Sequence, residues 1–186
     1  MRIISGIFKG KKILEPENLK TRPLKDLTKE SIFNLINHSN KFSINLRSSN
    51  ILDLFSGTGS FGIECLSRGA EYVTFVENYK GILPILRKNL VNLKLENYQI
   101  LEKNIFKDLN LKIMKKKFDI IFLDAPFKEK NLISIISLIL DEKILKKEGV
   151  IIMHRHKKQK DIFPKNFKMI EEKKYGISKI IFGSYS

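Results

Sequence analysis

From Asn50 onward the chain alternates short apolar, strand-like runs with helical patterns, and this alternation constrains the fold more than any other feature. The runs are NILDLF, EYVTFVE, YQILEKN, FDIIFLDA and GVIIMH. Helical segments are predicted near 60–68, 80–93 and 131–142, with a shorter one near 106–113. Strands joined through helical crossovers bury both faces of their sheet, so the fold class implied is α/β with a doubly wound, mostly parallel sheet. The chain closes with FKMIEEKKYG and ISKIIFGSY, two strands about a Tyr175-Gly176 turn. Residues 1–45 are different, being basic and turn-rich. RIISGIFKGKKIL predicts a short hairpin, and a helical pattern follows Pro23 through Leu27, Ile32, Phe33, Leu35 and Ile36. Two regions are expected: a basic hairpin-and-helix extension over 1–45, and the α/β domain over 46–186.

Ligands of such sheets bind outside the carboxyl ends of the strands. Four stretches end predicted strands there: Asp53 to Gly62, Glu77-Asn78, Asn104, and Asp124 to Phe127. The first, LDLFSGTGSFG, matches the dinucleotide fingerprint G-x-G-x-x-G at Gly57, Gly59 and Gly62. Glu77 at the end of the next strand can accept hydrogen bonds from ribose hydroxyls. A dinucleotide and S-adenosylmethionine would both use this pair. A pyrophosphate would be repelled by Asp53 beside the loop, whereas a sulfonium and an amino group would be favoured by it. The pattern with Asp53 and Glu77 therefore favours an adenosyl cofactor over a dinucleotide or a ligand-free turn.

LDAPF, Leu123 to Phe127, places a carboxylate, a rigid turn and an aromatic ring at the end of the fourth strand. An exocyclic base amine is a poor nucleophile because its lone pair is delocalised into the ring. Two acceptors, here the Asp124 carboxylate and the Ala125 carbonyl, can take its hydrogens and let the nitrogen pyramidalise toward an electrophile. Pro126 fixes the turn, and Phe127 can stack on a base swung out of its helix. An ionised carboxylate accepts only, which matches the adjacent N1–H and N2–H donors of guanine. Adenine offers one donor beside an acceptor and suits an amide better.

Charge points to the same kind of partner. Thirty-five Lys and Arg against 20 Asp and Glu give +15, which favours a polyanion such as nucleic acid. Cys65 alone permits neither an internal disulfide nor a cysteine zinc site, and no metal-ligand cluster is evident. No apolar run approaches the ~20 residues that span a bilayer, and the N-terminus lacks a leader pattern. A cytoplasmic protein without a membrane partner is expected.

The whole chain resembles the bacterial 16S ribosomal RNA guanine-N2 methyltransferase family, a class I S-adenosylmethionine-dependent group. The similar stretches are ISGIFKGKKI, TRPLKDLTKESIFNLI, LDLFSGTGSFGIECLSRGA, FVEN, FDIIFLDAPF and the closing KKYG, in order and spacing. The resemblance implies a seven-stranded sheet with a reversed last strand and a small N-terminal hairpin, with residues 46–186 as the methyltransferase domain. It implies transfer of one methyl group to the exocyclic amine of one guanine of 16S rRNA in an assembling small subunit. A monomer is expected, and the chemistry needs no metal. On this reading Asp53, Phe55, Gly57, Gly59, Glu77 and Asp124 hold the cofactor, and Asn78 and Asn104 flank its adenine. Asp124, Ala125, Pro126 and Phe127 carry the chemistry. Arg2, Lys9, Lys11, Lys12 and Arg22 contact RNA, joined on a basic rim by Arg155, Lys157, Lys158 and Lys160. Three positions depart from the family pattern: Ala125 in D-P-P-[FY], Asn104 in place of an acidic residue, and His154 in place of Glu. His154 and His156 are expected at the surface or facing RNA phosphates. The competing readings are an adenine-N6 methyltransferase, a nucleotide-dependent oxidoreductase, and an RNA-binding assembly protein without catalysis.

Overall fold

The computed structural model describes residues 1–16, 24–108, 111, 114, 116–129 and 131–186. In chain order the elements are α1 (Asp26–His38), β1 (Asn50–Leu54), α2 (Ser60–Ser67), β2 (Tyr72–Val76), α3 (Leu83–Asn92), β3 (Tyr98–Leu101), β4 (Phe118–Leu123), α4 (Leu132–Asp141), β5 (Leu145–His156), β6 (Phe167–Tyr175) and β7 (Ser178–Tyr185). The seven strands form one sheet in the order β3-β2-β1-β4-β5-β7-β6, with β7 antiparallel to both neighbours. The order reverses between β1 and β4. Their following loops therefore diverge and leave a crevice at the carboxyl edge.

Apolar side chains on both faces explain the near-continuous hydrophobic strands. One core packs Ile51, Val73, Phe75, Ile120 and Phe122 against α1, α2 and α3; the other packs Leu52, Leu54, Ile121 and Leu123 against α4. The first core also takes in Ile3, Ile13, Ile32, Phe33 and Ile36, so both the N-terminal turn and α1 share it. Phe33, Phe61 and Phe122 stack in sequence, with centroids 5.3 Å and 3.9 Å apart, and join α1 to the sheet through α2.

The predicted hairpin folds back antiparallel, but its pairing is one bridge, Arg2 with Lys12, flanked by bonds such as Ile3 N–H to Lys11 O at 2.9 Å. Its turn packs onto Ser67 at the end of α2 farthest from the crevice, where Ile7 N–H donates to the Ser67 carbonyl at 2.8 Å. Pro84 occupies the first turn of α3, where a missing N–H costs no intrahelical bond. β5 exceeds GVIIMH at both ends, because Phe118 of β4 pairs with Leu145 and β7 pairs with it out to His156. The short helix expected near 106–113 falls partly outside the described residues, and residues 105–108 form turns.

Candidate active site

The loops after β1, β2 and β4 enclose a cavity of about 580 Å³, within the ~300–1,000 Å³ of small-molecule sites. Asp53, Phe55, Gly57, Glu77, Asn78 and Asp124 to Phe127 line it, so most of the predicted cofactor and catalytic positions converge. A second hollow of about 230 Å³ shares Phe55, Glu77, Asn78 and Pro126 and adds Asn104. Strand register causes the convergence. Leu54 pairs with Val76 and with Leu123, so the chain leaves all three strands at one level.

The glycine loop divides its tasks. Gly57 faces open space with φ at +54° and brings its backbone to the cavity wall. Gly62 has a packing role: a Cβ there would lie 2.3 Å from the Phe75 ring, so it lets α2 close on β2. Phe55, a bulky residue, holds φ at +60°, a conformation that costs roughly 1–2 kcal/mol and recurs at functional sites. Ser56 Oγ is buried in the wall with no hydrogen-bond partner among the described residues, a polar atom left for a ligand.

Glu77 is more engaged than its sequence position suggested. Its Oε2 accepts from Gly57 N–H at 2.8 Å, and its Oε1 accepts from Asn78 and Tyr79 N–H at 2.9 Å each. A carboxylate offers about four lone-pair sites, so Oε2 retains room for one ribose hydroxyl. Asn104 Oδ1 likewise already accepts from Phe106 N–H at 2.9 Å.

Asp53 Oδ2 accepts from Gly62 N–H at 3.0 Å, in the first turn of α2. Burial pushes this carboxyl well above its ordinary value of 3.8; Asp124 and Glu77 add to the rise, and the Gly62 bond opposes it. The sign of the consequence follows by linkage. Between the ordinary value and the raised folded value, the native state holds a proton that the unfolded chain has lost. Stability of the ligand-free protein therefore falls as pH rises through that window. Asp53→Asn keeps an acceptor for Gly62 but cannot ionise. Its melting temperature is expected to exceed that of the wild type at neutral pH, with the gap closing toward pH 4. Parallel melting curves across pH would exclude this.

Asp124 lies beside a residue assigned elsewhere from sequence. His154 is only 3% exposed; its Nδ1 is 2.8 Å from Asp124 Oδ1, and its Nε2 is 2.9 Å from Ser178 Oγ. It does not face RNA phosphates. The parallel pair Leu123 and Met153 explains this: the next residues, Asp124 and His154, emerge side by side on the same face. Phe127 lines the cavity and meets both His154 and His156 edge-on, at 5.4 Å and 5.3 Å.

The basic rim is corrected at Arg155. This residue is 2% exposed, paired with Asp161 at 3.0 Å and with the Glu129 carbonyl at 3.3 Å. Arg2, Lys9, Lys11, Lys12, Lys157, Lys158 and Lys160 are exposed. Arg2 and Lys12 lie at the crevice end of α2, where the Lys29 ammonium joins the Arg2 carbonyl to Ser60. Lys9 belongs to the turn at the other end. Arg22 and Lys20 lie outside the described residues. Sequence reasoning missed Lys128 and His154 as cavity residues and did not single out Ser56 and Thr58 within the loop from Asp53 to Gly59; the alignment of two strand ends, FLDA and IMHR, was the available signal for His154.

The family described as conserved hypothetical protein 95 matches residues 1–184. Ribosomal RNA small subunit methyltransferase D of Haemophilus influenzae is 35% identical over 181 residues, 95% of this chain and 90% of that protein. Its namesake in Buchnera aphidicola from Acyrthosiphon pisum is 34% identical over 171 residues, covering 92% and 86%. Among solved structures, the putative methyltransferase yhhF from Escherichia coli superimposes with a TM-score of 0.82 at 26% identity, covering 100% of this chain and 97% of that one.

Proposed function

We propose a guanine-N2 ribosomal RNA methyltransferase from one premise: the chain belongs to the family of conserved hypothetical protein 95, alongside the ribosomal RNA small subunit methyltransferase D proteins. It methylates RNA of the small ribosomal subunit with S-adenosylmethionine as donor. When bound, the cofactor supplies an electrophilic methyl group. Asp53 and Ser56 suit its cationic and polar end, Glu77 its ribose, and the hollow by Asn78 and Asn104 its adenine.

The observation that carries the guanine reading is the acceptor pair at the cavity's mouth. Asp124 is a carboxylate one-fifth exposed, and no backbone donor among the described residues reaches the buried Ala125 carbonyl. These acceptors take the hydrogens of an exocyclic amine, and Phe127 stacks on its base. The amine proton leaves to Asp124 or water. Most of the acceleration comes from positioning and from a preorganised polar site, because Asp124 forms no covalent bond to the base.

The test incubates the protein and labelled S-adenosylmethionine with unmodified small-subunit particles and with naked rRNA, then maps the labelled nucleoside. N2-methylguanosine is expected, on particles if the substrate is an assembling subunit. Methyladenosine would overturn the base assignment.

A further inference from the structure

The geometry points to His154 as a positioning residue for the transfer step, one that fixes the Asp124 carboxylate and the Phe127 ring together. The inference rests on the reading of Asp124 as the amine's acceptor.

A carboxylate at the end of a strand can turn about two side-chain bonds, and catalysis by hydrogen-bond acceptance needs one orientation. His154 limits that freedom. Its Nδ1 meets Asp124 Oδ1 at 2.8 Å, within the range of a charge-assisted bond. Among the described residues, Oδ1 takes this bond and Oδ2 takes none, so Oδ2 is the oxygen left for the amine. The other ring nitrogen sets which nitrogen carries the proton. Ser178 Oγ, 2.9 Å from Nε2, can donate its hydroxyl to the unprotonated nitrogen and keep the proton on Nδ1, toward Asp124. The same imidazole stands edge-on to Phe127 at 5.4 Å and 72°. Three elements thus meet at one buried ring: the turn after β4 supplies Asp124 and Phe127, β5 supplies His154, and β7 supplies Ser178. His154 lines the cavity wall behind the acceptor, so its part is to orient the group that meets the substrate.

The test compares His154→Leu, His154→Asn and Ser178→Ala, scored on whichever nucleoside the wild type methylates. His154→Leu is expected to lower kcat by about a hundredfold, the effect of a misplacement near 1 Å, with KM for S-adenosylmethionine held within about twofold. His154→Asn keeps a short N–H donor and is expected to recover to within about fivefold of the wild type. In an Asp124→Asn background, His154→Leu should cost less than about threefold, because the carboxylate it orients is gone. Equal losses for Leu and Asn, or effects that multiply in the double variant, would overturn the inference.

Nitrogen-15 shifts of the His154 ring in the unliganded protein add a readout that needs neither substrate nor folded Leu variant. A proton on Nδ1 is expected, with the tautomers mixing in Ser178→Ala; a proton on Nε2 in the wild type would overturn the assignment. The two readings fail separately. A methyladenosine product sinks the guanine assignment while the variant comparison still decides His154. Absence of any transfer by the wild type removes the methyltransferase reading, and with it the role given to His154.

Discussion

Asp124→Asn is expected to lower methyl transfer by about 10²–10⁴-fold, the range of a lost acid–base or oriented acceptor group. The substitution preserves shape and volume, so folding should be unaffected. What changes is polarity. His154 Nδ1–H, 2.8 Å from the position of Oδ1, captures the amide oxygen and turns the NH₂ toward the cavity. Two donors then oppose each other where the substrate amine arrives. Asp124→Ala removes the acceptor without installing a donor and is expected to be the less damaging of the two. Single-turnover rates on small-subunit particles, with cofactor affinity measured by calorimetry, separate chemistry from binding. Affinity should stay within about tenfold, since Asp53 and Glu77 remain in place. Undiminished transfer by Asp124→Asn would remove this carboxylate from the mechanism and with it the argument for guanine.

Glu64→Ala should produce the largest loss of stability, about 3–5 kcal/mol, because it breaks a buried ion pair from one side. Glu64 is fully buried on α2. Its Oε2 accepts from Ile4 N–H at 2.8 Å and lies 3.4 Å from the Lys29 ammonium; its Oε1 accepts from Ser5 N–H and Arg68 Nε at 2.9 Å each. Removing the carboxylate takes the nearer counter-charge from a Lys29 side chain that is itself fully buried and whose ammonium burial already disfavours, leaving it Asp26 at 3.9 Å and two neutral acceptors. It also releases the two backbone donors that pin the N-terminal turn to α2. For a domain of this size the melting temperature should fall by roughly 10 °C. Glu64→Gln with Lys29→Met should recover part of the loss, because the fully buried ammonium goes with the carboxylate while Arg68 and Asp26 each lose a partner. Equal destabilisation of the single and double variants, by thermal or urea unfolding, would show that packing rather than charge dominates there. α2 begins at Ser60 on the cavity wall, so loosening this anchor should also weaken cofactor binding.

Much of this molecule was legible without coordinates. The β-α alternation from Asn50 announced a parallel sheet because a buried parallel strand must be apolar on both faces, a local property. The loop LDLFSGTGSFG and the carboxylates Asp53, Glu77 and Asp124 were found for the same reason: each lies at or close to the end of an apolar run, and strand ends in such a sheet face one edge. The pairing of FKMIEEKKYG with ISKIIFGSY followed from a turn between neighbours in sequence.

Tertiary structure decided what depends on lateral neighbours. His154 and Arg155 looked like surface cations because hydropathy assigns a charged side chain to solvent unless its partner is known. Their partners, Asp124 and Asp161, reach them only through the placement of β5 between β4 and β7 and the loop that follows. The same limit hid the packing role of Gly62, the three backbone bonds that occupy Glu77, and the Lys29–Glu64 pair beneath the N-terminal turn. Periodicity along a chain records which face of an element is buried; which residues meet across that face is set by long-range packing. Here the sequence determined the chemistry carried to the sheet's edge, and the fold determined which side chain holds it in place.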